Sequence, residues 1–172
     1  MQDLKKTLAK RAKEHRDTIM VGRTHGQFAL PITFGLKLAN YALEVHRHLE
    51  RLGEAKRRIL VGKMSGAVGT GAGFGPKALE IQNFVMEQLG LGVEEGPTQI
   101  VARDRYIELM SILANISCSV EKFATEVRNL QRGEIGEVLE FFDESVQVGS
   151  STMAHKRNPV TAENVCGLAR IV

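Results

Sequence analysis

Eight apolar side chains, Tyr106, Leu109, Leu113, Ile116, Val120, Phe123, Val127 and Leu130, follow one another at alternating steps of three and four residues. That spacing puts all eight on one stripe of an α-helix. Asp104 precedes the run, an anion suited to a first turn, and Gly133 ends it. A second stripe starts after Thr33 and uses Phe34, Leu38, Tyr41, Val45, Leu49, Leu52 and Ile59. It predicts a helix of about 27 residues, or roughly 40 Å. The mean apolar step, close to 3.5, suits helices packed nearly parallel in a bundle. Residues 3–20 carry Leu4, Leu8, Ala12 and Ile19 among many charges and read as a solvated helix. Gly22, Gly26 and Pro31 read as a break, GKMSGAVGTGAGFG (62–75) as a glycine-rich connection, and 77–90 as a shorter helix. No segment alternates clearly with period two, so the expected fold is all-α, a long-helix bundle.

Two helices this long exceed what a lone 172-residue domain can cover. Part of their stripes is therefore expected to be buried against other chains. Apolar residues make up 43% and charged residues 25%, which places the chain among globular proteins rather than disordered ones. The charge, 23 cations against 20 anions, is too balanced to argue for nucleic acid. Lys5, Lys6, Lys10, Arg11, Lys13 and Lys56-Arg57-Arg58 read as solvated helix faces. No run of about 18 apolar residues predicts a membrane span, and no signal pattern is present, so a cytoplasmic protein is expected. Cys118 and Cys166 make no disulfide framework.

Two short stretches carry polar groups in unusual density. In GRTHGQ (22–27), His25 lies between glycines, with Thr24 and Gln27 beside it as hydrogen-bonding groups. Imidazole exchanges a proton near neutral pH. The residues alone leave His25 as either a turn histidine or an acid–base group. His46 and His48 are two apart on a helix and cannot share a face, so no metal site is expected. In GSSTMAHKRNP (149–159), Asn158-Pro159 reads as an N-cap and first helical residue, with the helix running on through Glu163. Lys156, Asn158 and backbone amides would then gather at a helix start, where negative charge is stabilised. Ser150 and Ser151 follow a glycine that frees their backbone. A loop of this make-up suits chemistry through a carboxylate-stabilised carbanion, and an ordinary Gly/Ser turn stays open beside it.

The same loop resembles the signature Gly-Ser-Ser-x-Met-Pro-x-Lys-x-Asn-Pro of the fumarase/aspartase superfamily. GRTHGQFALPITFGLKLA, KMSGAVGT, TQIVARDR and VTAENVCGLARIV are similar, in the same order, to the branch that splits adenylosuccinate into AMP and fumarate. The resemblance implies a carbon–nitrogen lyase without metal or cofactor. It implies a homotetramer whose active sites draw on several subunits around one large helical bundle, with adenylosuccinate as its small-molecule substrate. Ser150 matches the base that removes the Cβ proton, and Ser151 a supporting or substrate-binding serine. His25 matches the general acid for the departing nitrogen, and Glu163 the carboxylate that partners it. Lys156 and Asn158 match groups that hold the carboxylate as its charge grows. Thr24, Gln27, Ser65 and Gln99 fall at substrate-contacting positions. Ala154 stands where the pattern has proline, which leaves the loop backbone freer. Residues 1–172 correspond to a central helical-bundle domain, a piece expected to have little activity alone. A carboxymuconate cycloisomerase type, an inactive helical interaction module and a basic nucleic-acid binder are the other readings; ENVCGLAR and TQIVARDR favour the purine branch over the first.

Overall fold

A computed structural model describes residues 1–143, 150, 152–153 and 155–172. The element order is α1 (Gln2–Glu14), β1 (Ile19–Thr24), β2 (Gln27–Thr33), α2 (Phe34–Ile59), β3 (Val61–Gly62), a 3-10 helix (Ala72–Lys77), α3 (Ala78–Leu89), β4 (Gly92–Val93), α4 (Asp104–Leu130) and α5 (Val160–Ala169). Both long stripes become long helices, of 26 and 27 residues. The helical class holds, and 62–75 is the glycine-rich connection expected of it. The described residues divide into two compact units, Met1–Leu49 with Ala114–Val172, and Glu50–Leu113.

The expected helix over 3–20 is shorter, and the expected break at 21–32 is a β-hairpin. After Glu14 the backbone turns, with the Thr18 amide bonded to the His15 carbonyl at 3.2 Å and the His15 ring 3.2 Å from the Thr18 hydroxyl. The strands then pair antiparallel from Ile19↔Thr33 to Thr24↔Gln27, with an irregularity between Val21 and Arg23. Phe28, Leu30 and Ile32 do alternate with period two along β2. Two glycines and a proline mask that alternation in the sequence, because each more often ends a strand than occupies one. Thr33 then starts α2, its hydroxyl accepting the Leu36 amide at 3.1 Å.

In the first unit, α2 lies antiparallel to α4 through contacts that pair ascending with descending numbers. Lys37 meets Glu126, the Tyr41 and Phe123 rings stand 4.2 Å apart, and Glu44 meets Lys122. His48, only 1% exposed, comes within 2.8 Å of Ser119 Oγ through Nε2. Ser119 donates onward to Glu44 Oε1 at 2.6 Å, so the hydroxyl hydrogen is spoken for and Nε2 must be the donor to it. His46 is elsewhere occupied, 3.1 Å from the Lys5 ammonium. α5 packs on α4 through Ala124, Ala162 and Cys166, flanked by Val127 and Val165.

In the second unit, β3 and β4 form a short parallel pair, Val61↔Gly92 and Gly62↔Val93. Arg105 holds the buried Glu94 through Nε at 2.6 Å and Nη2 at 3.0 Å, and donates to the Arg58 carbonyl at 2.5 Å. Arg58 in turn pairs with Glu108. Replacing Ser119 by alanine removes the hydroxyl between His48 and Glu44 in a buried setting. The expected loss is about 1–3 kcal/mol of stability, read as a lowered urea midpoint; an unchanged midpoint would refute the role given to this hydroxyl.

Candidate functional site

His25 and Gly26 form the two-residue turn of the hairpin, with φ of 54° and 75°. Two successive positive φ values mark the mirror-image turns whose twist suits a hairpin. Glycine adopts that backbone freely, but a non-glycine residue there is held by its surroundings. The turn thrusts the imidazole out, and His25, Thr24 and Gln27 are all exposed. Arg23 anchors the hairpin. Its guanidinium donates to both oxygens of Glu137, at 2.9 and 2.5 Å, and its Cζ lies 5.6 Å from the Phe28 ring centre. This fork fixes the ribbon that carries His25, and sequence reasoning did not single Arg23 out.

Ser150 is half-buried, and its hydroxyl oxygen accepts the amides of Thr152 at 3.3 Å and Met153 at 3.2 Å. Donors aimed at an oxygen favour negative charge on it. The Lys156 amide bonds to the Met153 carbonyl at 3.0 Å, and the Lys156 side chain is exposed. Ser151 and Ala154 lie outside the described residues, as does Gly149 at the head of the signature loop.

The start of α5 differs from expectation. The helix begins at Val160, one residue later than expected, and its N-cap position falls on Pro159 rather than Asn158. The carboxylate of Glu140 serves as the cap, accepting the amides of Thr161 and Ala162 at 2.9 Å each. A full charge binds the helix's free amides more strongly than a neutral amide oxygen would. Gln131 completes the arrangement. Its Oε1 accepts the Glu140 amide at 2.9 Å and its Nε2 donates to the Arg157 carbonyl at 3.0 Å. Two side chains thus tie the segment entering the signature loop to the segment leaving it. A distant carboxylate capping a helix has no local sequence signal, so nothing in the spacing pointed to Glu140.

Asn158 and Glu163 line one open cleft of about 430 Å³, together with Thr125, Arg128, Asn129, Gln131, Arg132, Arg157 and Pro159. Within one chain, the described residues give His25 no hydrogen bond to Ser150, Lys156 or Glu163. In the second unit, Ser65 is 7% exposed and its buried hydroxyl has no partner among the described residues. It lines a small cavity of about 60 Å³ with Gln82, Glu95 and Pro97. The glycine-rich connection folds tightly here: a Cβ on Gly69 would collide with the Pro97 carbonyl. Lys63 ties it down by donating to the carbonyls of Gly66 at 2.7 Å and Thr98 at 2.9 Å. Gln99 follows Thr98 and is exposed. Among the described residues no helix is long and apolar enough to cross a membrane.

The full chain, residues 1–172, matches the family model described as Lyase, and the chain belongs to that lyase family. This bears out the resemblance to the fumarase/aspartase superfamily carried by the signature loop. Among relatives, the adenylosuccinate lyase of Pyrococcus abyssi is 55% identical over 172 residues, covering 100% of this chain and 38% of that protein. That of Bacillus subtilis is 50% identical over 165 residues, covering 96% and 37%. Among solved structures, the 3-carboxy-cis,cis-muconate lactonizing enzyme of Pseudomonas putida superposes with a TM-score of 0.86 at 41% identity, over 97% of this chain and 37% of that one. The chain therefore spans well under half the length of the proteins it matches.

Two outcomes are expected from this geometry. Glu140→Ala removes the cap of α5 at a cost of about 0.5–2 kcal/mol, and should speed amide exchange at Thr161 and Ala162 while leaving α2 protected. Unaltered exchange there would contradict the capping role. The Arg23 guanidinium holds the Glu137 carboxyl below its ordinary range. A carboxylate depressed in the fold adds stability above its unfolded value, about 4.3, and that stability is lost as pH falls through the folded value. Glu137→Gln should thus be less stable than the parent at neutral pH and converge with it in acid, as followed by urea midpoints against pH.

Proposed function

We propose that the protein carrying this chain is an adenylosuccinate lyase that eliminates fumarate from adenylosuccinate to leave AMP, and acts likewise on the succinylocarboxamide intermediate of purine synthesis. The observation that carries this reading is the 55% identity to a curated adenylosuccinate lyase along all 172 residues. Identity to the muconate lactonizing enzyme is lower, at 41%. In this reading, residues 1–172 are the central helical domain of a longer, cytoplasmic enzyme.

A proton next to a carboxylate is weakly acidic, so the intermediate needs donors already in place; one such group is worth about 10²–10³ in rate. Ser150 acts as the base toward the Cβ proton. Its two amide donors support the hydroxyl's conversion to alkoxide, and Lys156 adds positive charge nearby in sequence. Ser151 supports the loop or the substrate. Lys156 and Asn158 hold the carboxylate while its charge builds. His25 protonates the departing nitrogen, and Glu163 keeps the imidazole charged by its own negative charge. Thr24, Gln27, Ser65 and Gln99 contact the substrate, and the Ser65 hydroxyl, without a partner among the described residues, has capacity to do so.

Such a site needs more than one copy of the chain. His25 stands exposed on its hairpin, and the described residues give it no hydrogen bond to Ser150 or Glu163. Large apolar residues on the long helices are also open, among them Leu36 at 53% and Leu43 at 56% exposure. A homotetramer supplies both an imidazole from a neighbouring chain and a cover for these faces. In the full-length protein, Ser150→Ala and His25→Ala should each lower turnover more than about 100-fold without altering the oligomer. Mixed oligomers of the two variants should regain activity, because some shared sites then hold both groups. Retained turnover in Ser150→Ala would remove the base assignment, and no recovery on mixing would remove the shared site.

A further inference from the structure

Among the described residues, the side-chain hydrogen bonds that join the hairpin of β1 and β2 to distant elements are those of Arg23 to Glu137. Thr33 reaches only Leu36, three residues on. The Arg23 and Glu137 side chains are shielded, at 20% and 21% exposure. Beside them stand Lys37 and Glu126, which hold each other, so the four charges balance and the pair stands as a link between elements.

Each end of this link belongs to a reacting element of the proposed site. Arg23 lies two residues before His25, whose φ of 54° is a backbone that its surroundings must hold. Glu137 lies three residues before Glu140, which accepts the Thr161 and Ala162 amides at the start of α5. The stretch between them is short and held. The Glu137 amide donates to the Leu130 carbonyl at 2.9 Å, and the Glu140 amide to Gln131 Oε1 at 2.9 Å. A shift of Glu137 is therefore passed to the capped start of α5 and, through Gln131, to the Arg157 carbonyl within the signature loop.

We propose that Arg23 and Glu137 are a positioning pair that couples neighbouring active sites. This rests on the shared-site reading above, in which the hairpin of one chain brings the acid of one site and its signature loop brings the base of another. The fork ties those two elements of the same chain together, so loosening it disturbs both sites that the chain serves. Two parallel N–H···O bonds resist rotation as well as stretching, which a single ammonium contact does not. Coupling of this kind travels through packed, discrete contacts.

Hydrogen exchange in the full-length protein tests the link without reference to turnover. Arg23→Gln should speed exchange about tenfold at the Thr161 and Ala162 amides as well as in β2, with α2 unchanged. Arg23→Lys should fall between, and Arg23→Gln combined with Glu137→Gln should be no faster than Arg23→Gln alone. Turnover then tests the coupling. In mixed oligomers of Ser150→Ala and His25→Ala, a working site takes its imidazole from the first variant and its hydroxyl from the second. Arg23→Gln added to either variant should lower the recovered kcat about tenfold, by more than it raises KM. Loss confined to the variant that supplies His25, or faster exchange confined to β2, overturns the coupling. Unchanged exchange at both ends overturns the link itself. Faster exchange at both ends, with no activity recovered from the mixture that keeps Arg23, refutes the shared-site reading and with it the coupling of sites, while the link within the chain stands.

Discussion

Two long amphipathic helices can slide along one another unless a directional contact fixes their register, and in the first unit the hydrogen-bond chain from His48 through Ser119 to Glu44 does this. Apolar stripes attract without choosing a register, because burial is proportional to area and indifferent to direction. A fully buried imidazole is selective, since any shift by a turn leaves a polar ring without its hydroxyl. The ion pairs of Lys37 with Glu126 and Lys122 with Glu44 lie nearer the surface and add little energy, yet agree with the same register. The Tyr41–Phe123 ring contact lies between them.

With α4 held in this way, its end sets the geometry of the signature segment. Gln131 follows α4 directly and reaches both Glu140 and Arg157, while Glu140 closes the free amides of α5. The loop's two ends are therefore held by groups that touch no expected reacting atom. Arg23 and Glu137 do the same for the hairpin that presents His25. Both supports bind to the stretch between α4 and the loop, so residues 131–140 act as the anchor for two elements of the proposed site.

Much of the architecture was legible in the residues. The alternating three-and-four steps from Tyr106 to Leu130 and the stripe after Thr33 become α4 and α2 with nearly the expected bounds. The signature loop, read by resemblance, agrees with the family match across the chain. The hairpin was missed because His25-Gly26 is not the usual Asn-Gly turn and because Pro31 reads as a breaker. Local reasoning places the cap of α5 at the adjacent Asn158, whereas the N-cap position falls on Pro159 and a charged group from Glu140, distant in sequence, accepts the Thr161 and Ala162 amides.

What the sequence determined unaided is the helical period, the glycine connections and the order of chemistry-bearing motifs, all of which depend on neighbours within a few positions. Tertiary structure decided which distant groups meet: Glu140 with α5, Arg23 with Glu137, His48 with Ser119. Hydrogen bonds and ion pairs of that kind depend on distance in space, and spacing along a chain does not encode it until the helices have packed.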